Sequence, residues 1–196
     1  QYVLDLSLEE VQSYIIEIVG ERIKEGKISY IKWDMNRNMT EITDKSKAHK
    51  YILGLYKILE TLTANFPEVL FESCASGGAR FDPGLLYYAP QGWASDDSDA
   101  IERLKIQYGT SFAYPISSIG SHVSVTPNHQ VYRLTPLHTR ANVAYFGTFG
   151  YELDLNKLTP AEQEEVKEQI KFMKEYREIF QFGTFYRLSS PFENNV

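Results

Sequence analysis

Ile28-Ser29-Tyr30-Ile31-Lys32-Trp33-Asp34 is short, dense in β-branched and aromatic residues, and ends in a carboxylate. It reads as a strand. Before it, Leu8, Val11, Ile15, Ile18 and Val19 recur at helical spacing. Ser7 followed by Glu10 predicts a capping box at the start of that helix, which should stop near Gly26. After it, a polar loop through Asn36, Asn38 and Thr40 leads to a second helix predicted over residues 45–65, with Ile52, Leu55, Ile58, Leu59 and Leu62 on its apolar face. Pro67 ends that helix, because the residue before a proline is driven out of helical conformation.

The alternation continues along the chain. Val69-Leu70-Phe71-Glu72 is strand-like and runs into a turn at Gly77-Gly78. Gly92-Trp93-Ala94-Ser95 is another strand, followed by an acidic turn and a helix over about residues 99–112. There Asp99 with Glu102 predicts a second capping box. Residues 119–125 are strand-like, a loop and helix follow, and residues 143–151 contain one more strand. The last helix has Thr159 as N-cap, Pro160 at N1 and Glu162 at N3, and runs to about Ile179. Strand, loop and helix repeated about five times predict a parallel α/β sheet. Two architectures satisfy this pattern, a doubly wound open sheet and a (β/α)8 barrel. No Gly-x-Gly-x-x-Gly and no phosphate loop follow a strand, which weakens the nucleotide-binding version. Five βα units are too few to close a barrel, so the barrel reading implies that upstream units are missing. No internal linker, repeat or low-complexity stretch divides residues 1–196, which read as one segment.

Composition limits the function. The 196 residues are 43% hydrophobic and 23% charged, ordinary for a soluble globular domain. A net charge of −6 with no Lys/Arg run argues against nucleic acid or an anionic membrane as partner. No apolar run approaches the roughly 20 residues that span a bilayer. The chain begins Gln1-Tyr2-Val3-Leu4-Asp5, without a Met and without the basic and apolar regions of a signal peptide, so it is expected to be part of something longer. Cys74 is the sole cysteine, which precludes an intramolecular disulfide and fits a reducing, cytoplasmic location. The four histidines have no metal-ligand spacing, and neither a metal nor a cofactor is expected. Aromatics make up 14% of the chain. Most belong to a core, and some are available to line a sugar pocket.

In either architecture ligands meet the carboxyl ends of the strands. Three of these ends carry unusual chemistry: Lys32 to Arg37, Glu72 to Arg80 and Trp93 to Asp99. Two carboxylates on neighbouring strand ends suit a retaining glycosidase, whose nucleophile and acid/base lie roughly 5–5.5 Å apart. Asp34 and Asp96 are the candidates. Lys32 is available to favour the ionised form of Asp34, and Asp97 or Asp99 to help keep Asp96 protonated. Plainer readings stand beside these. An Asp at a strand end often caps a helix, and Asp99 is the natural cap here. Cys74 can be a small buried hydrophobe, Gly77-Gly78 an ordinary turn, and Trp33 and Trp93 packing between sheet and helices.

At these segments the chain resembles the α-galactosidases of glycoside hydrolase family 36. Lys32-Trp33-Asp34-Met35-Asn36-Arg37 is similar to that family's nucleophile motif. Cys74-Ala75-Ser76-Gly77-Gly78-Ala79-Arg80-Phe81-Asp82 resembles its Cys-x-x-Gly-Gly-x-Arg-x-Asp segment. The stretch from Trp93 through Asp96 to Gly109 resembles its acid/base segment, and Gly150 to Leu155 is also similar. Ala79 stands where a glycine is common in this turn, and Ala75-Ser76 differs from the family's Ser-Gly version. The resemblance implies the second half of a catalytic (β/α)8 barrel, with Asp34 as nucleophile and Asp96 as acid/base. Lys32, Trp33 and Asn36 would border the galactose site, with Cys74 and the Gly77 backbone close to the sugar. The implied substrates are α-galactosides such as melibiose, raffinose and stachyose. It also implies a homo-oligomeric full-length parent and an isolated segment that is inactive. A related transglycosylase or α-N-acetylgalactosaminidase and a non-catalytic carbohydrate-binding module remain as alternatives.

Overall fold

The computed structural model describes residues 3–39 and 44–193. They divide into two compact units, Gln1–Gly92 and Trp93–Val196. All described strand pairs are parallel, which makes this an α/β chain as the alternation predicts. The five described strands fall into two sheets, of three and two, rather than one.

In the first unit the order is α1 (Glu9–Gly26), β1 (Tyr30–Trp33), α2 (Lys45–Asn65), β2 (Leu70–Ser73), α3 (Pro83–Tyr88) and β3 (Gln91–Gly92). The sheet runs β1-β2-β3, with Tyr30 opposite Leu70, Trp33 opposite Ser73, and Ser73 opposite Gly92. Successive side chains of a strand point to opposite faces. Ile31 and Phe71 therefore turn to one side, where they join Leu55, Ile58, Leu59 and Leu62 of α2 in the core. Each such side chain contributes about 1.5–3 kcal/mol when taken out of water. The other side is polar. Glu72 is buried there, accepting from the Tyr30 hydroxyl and from Gln91 Nε2 (3.2 Å), with Lys32 Nζ 3.6 Å from its Oε1. Gly54 is where α2 meets the chain before α1, because a Cβ there would lie 1.8 Å from the Leu6 carbonyl oxygen.

Local signals were accurate for α2, whose bounds match and whose N-cap is Asp44, accepting from Ser46 N–H (2.9 Å). They failed at α1. Leu8 occupies the N-cap and makes no side-chain bond. Ser7 is captured instead by Asp5, whose Oδ1 accepts from both its N–H (3.1 Å) and its hydroxyl (2.7 Å). The helix begins at Glu9, which leaves Ser7 one residue before the cap position, so the expected capping box does not form. The six-residue α3 was not anticipated, being too short to show periodicity. Its signal was local: Asp82 Oδ1 accepts from Leu85 N–H (3.0 Å), with Pro83 in the first turn.

The second unit contains α4 (Ala100–Thr110), β4 (Gly120–Ser124), α5 (Leu137–Ala144), β5 (Thr148–Glu152) and α6 (Pro160–Phe182). Val123 of β4, Leu137, Ala141 and Ala144 of α5, and Val166 and Met173 of α6 share its core with Tyr145. Gln107 is a buried polar clasp in this unit. It donates to the carbonyls of Val143 (3.1 Å) and Phe146 (2.9 Å) and accepts from Ser121 Oγ (2.9 Å) and Arg103 Nε (3.1 Å). The Thr159–Glu162 capping box forms as read, and α6 continues three residues past the expected Ile179. At α4 only half of the expected box exists. Asp99 accepts from Ile101 and Glu102 N–H (3.2 and 3.1 Å), but the Glu102 carboxylate is drawn to Arg133 (3.1 Å). The Asp99 N–H donates to Asp97 instead (3.0 Å). The strand expected over residues 92–95 is shorter, since β3 ends at Gly92.

Candidate active site

The pairing of β1 with β2 extends past the end of both strands. Cys74 N–H donates to the Trp33 carbonyl (3.0 Å), and Met35 N–H donates to the Cys74 carbonyl (3.1 Å). Asp34 and Cys74 are thereby held side by side at the carboxyl end of a parallel sheet, where strand ends stop satisfying one another and side chains are free to meet a ligand. Asp34 is exposed. Its Oδ1 accepts from Met35 N–H (2.8 Å) and its Oδ2 from Asn36 Nδ2 (2.8 Å). Partial burial works to raise its pKa. Hydrogen bonds from the Cys74 thiol, the Asn36 amide and the Met35 and Ser76 backbone outweigh that and hold the carboxyl below its ordinary value. Asp34 is therefore a carboxylate at neutral pH.

Cys74 is buried, and burial pushes its thiol up to about 11, with Asp34 adding to the rise and the Gly77 N–H working against it. The thiol keeps its proton near neutrality and acts as a donor, not as a nucleophile. The glycine-rich turn closes this corner. Ser76 and Gly77 have φ of 46° and 83°, in the left-handed region. Ser76 donates to Asn36 Oδ1 from its N–H (3.3 Å) and its hydroxyl (3.2 Å), so Asn36 is fixed at both ends of its amide. Arg80 Nη2 donates to the Trp33 (3.1 Å) and Cys74 (2.8 Å) carbonyls, tying the two strand ends together from below.

Of the residues read from the sequence in this unit, Asp34, Asn36, Cys74 and Gly77 are brought together. Trp33 supplies its carbonyl, while its ring packs 6.3 Å from Phe71 on the core side. Lys32 Nζ lies 3.6 Å from Glu72 Oε1, and hydrogen bonds lower the Asp34 pKa. Arg80 is the arginine of the Cys74–Asp82 segment, and sequence alone gives it no role. Its task depends on carbonyls far from it in sequence, for which no local signal exists.

Asp96 belongs to the second unit and follows β3 by four residues. Its side chain is exposed, and its Oδ1 accepts from Trp93 Nε1 (3.1 Å). The Trp93 ring is buried in a stack, with His122 on it at 4.7 Å and 24° and the Arg103 guanidinium 4.6 Å from its centroid. Burial brings the Arg103 pKa down to about 10, so it remains a cation. Gln130, which the sequence reading passed over, donates to the Asp96 carbonyl (2.8 Å) and accepts from Ser98 N–H (2.9 Å). Of the two neighbours available to supply Asp96 with a negative charge, Asp97 accepts from the Asp99 N–H, and Asp99 caps α4 as the plainer reading had it, beside Arg133. Among the described residues no group of three or more His, Cys, Asp or Glu is placed to hold a metal ion.

The profile of the family described as Melibiase matches residues 1–183. The α-galactosidase AgaA of Geobacillus stearothermophilus is 55% identical over 203 aligned positions, covering 100% of this chain and 28% of that protein. The bifunctional α-galactosidase/sucrose kinase AgaSK of Mediterraneibacter gnavus is 46% identical, covering 100% of this chain and 21% of that protein. The crystal structure of AgaA superposes with a TM-score of 0.95 at 55% identity, over 98% of this chain and 28% of that one. This chain thus spans about a quarter of the length of the curated relatives it matches.

Proposed function

We propose, on the premise that this chain belongs to the melibiase family, that it is the second half of the catalytic (β/α)8 barrel of a retaining α-galactosidase. The observation that carries this reading is Asp34: a carboxylate at a parallel strand end, kept ionised by donors from two loops and exposed on its open side. That is the state a glycosidase nucleophile needs. In the first step an oxygen of Asp34 attacks the anomeric carbon of a terminal α-galactosyl unit. The new ester bond forms as the glycosidic C–O bond breaks, and Asp96 gives its proton to the departing oxygen. In the second step Asp96 takes a proton from water, the water oxygen attacks the same carbon, and Asp34 is released as a carboxylate. Lys32, Asn36, Cys74 and the Gly77 backbone border the galactose, with Trp33 contributing through its backbone. Variants of AgaA have been crystallised in complex with raffinose and with stachyose, and α-galactosides of that kind, melibiose included, are the proposed substrates.

The test uses the full-length protein. Asp34→Ala is expected to abolish turnover. Asp96→Ala is expected to depress raffinose hydrolysis by a factor of about 10²–10⁴ and aryl galactosides with good leaving groups far less, because those need little protonation. An inverted anomeric product, or equal losses on both substrates at Asp96, would overturn the assignments.

A further inference from the structure

The loop between β4 and α5 holds an exposed tyrosine in a conformation that tyrosine disfavours. Tyr132 has φ of 57° and is 80% exposed. A side chain in the left-handed region meets its own backbone, and for a bulky residue outside glycine this is uncommon. The loop imposes it through a closed set of hydrogen bonds. Asn128, buried, accepts at its carbonyl from Tyr132 N–H (2.8 Å) and at Oδ1 from Gln130 and Val131 N–H (2.8 and 3.0 Å). Its own N–H donates to the Arg133 carbonyl (3.0 Å). Strain of this kind persists where surrounding structure over-determines it, and it clusters at ligand-binding positions.

The same loop is bound to the segment that carries Asp96. Gln130 donates to the Asp96 carbonyl (2.8 Å) and accepts from Ser98 N–H (2.9 Å), while Asn128 Nδ2 donates to Ser98 Oγ (3.2 Å). Arg133 on the far side of Tyr132 pairs with Asp99 and Glu102. The proton donor of a glycosidase lies beside the leaving-group oxygen. The loop that presents the exposed Tyr132 ring is thus tied on one side to the Asp96 backbone, through Gln130, and on the other to Asp99 and Glu102 at the start of α4, which anchors it beside the segment of the proton donor.

We propose that Tyr132 is a specificity-determining platform, its ring stacking on the sugar unit attached to the leaving-group side of the scissile bond. The apolar face of a pyranose or furanose lies against a flat ring, and the locked backbone removes the entropy cost of presenting it. The proposal rests on Asp96 as acid/base. Contact of this sort favours raffinose and stachyose over substrates whose leaving group is too small to reach the ring.

Tyr132→Gly in the full-length protein is the discriminating variant, because glycine accepts the left-handed backbone and the fold is not put at risk. It is expected to lower kcat/KM for raffinose and stachyose roughly three- to tenfold and to leave α-galactosyl fluoride unchanged. Tyr132→Phe, which keeps the ring, is expected to retain the parent's preference. No loss on raffinose or stachyose, or an equal loss on the fluoride, would overturn the platform. Asp96→Asn assayed alongside separates the two readings. If that variant loses as much on the fluoride as on raffinose, the assignment of Asp96 fails, whatever Tyr132 does.

Discussion

Asp34 and Cys74 each shift the pKa of the other, with burial the larger cause at Cys74. The thiol donates to the carboxylate, and the carboxylate with burial keeps the thiol protonated. A donor to the charged form lowers an acid's pKa, so its removal must raise it. In the proposed enzyme the acidic limb of kcat/KM follows Asp34 and falls below the ordinary carboxylate range. Cys74→Ala is expected to move that limb to higher pH, and Cys74→Ser, which restores a donor, to move it back. An unchanged limb in the alanine variant would show that Asn36 and the backbone suffice. Ser76 shows the same economy: its left-handed backbone lets one residue give Asn36 both an N–H and a hydroxyl.

The elements of the second unit are joined as much by polar side chains as by apolar ones. Gln107 on α4 has two donated and two accepted hydrogen bonds, reaching Ser121 of β4 and the carbonyl of Val143 in α5. A buried amide with every position filled stabilises modestly. Deleting it leaves several buried groups unpaired, and that penalty is larger. Gln107→Leu, of similar size, is expected to destabilise the folded protein by about 2–4 kcal/mol. Denaturant unfolding followed by circular dichroism would measure it, and a loss below about 1 kcal/mol would mean that water replaces the amide. Arg103 works similarly, donating to the Ser95 carbonyl (3.1 Å) and the Gly120 carbonyl while lying on Trp93. One guanidinium thus links the loop of Asp96 to the start of β4.

For the whole molecule, the relevant fact is that the chain spans about a quarter of its relatives' length. In the first sheet β1 is a terminal strand, and Tyr30 and Leu70 leave 43% and 42% of their surface exposed. A sheet edge next to apolar surface is a template for further pairing. Residues 1–196 produced alone are expected to self-associate in sedimentation experiments. If the proposed function holds, they are also expected to hydrolyse p-nitrophenyl α-galactoside orders of magnitude more slowly than the full-length protein, since a segment about a quarter of its relatives' length supplies only part of the preorganisation of the sugar. A stable monomer with parent-like turnover would show that this segment is self-sufficient.

Periodicity and caps were enough to place α2, α6 and the order of strands and helices, because those features are written in residues three or four apart. The same reading put Asp34, Asn36, Cys74 and Gly77 at strand ends, as motifs contiguous in the chain. It placed Asp99 correctly as the cap of α4 but misjudged the boxes at Ser7 and Glu102, where a competing partner captures the side chain: Asp5 takes Ser7, and Arg133 takes Glu102. Those contests are settled by relative position in space. Arg80 under two strand ends, Gln130 on the Asp96 carbonyl and Tyr132 locked outward have no signature in sequence, since each depends on backbone groups that only the folded chain brings within hydrogen-bond reach.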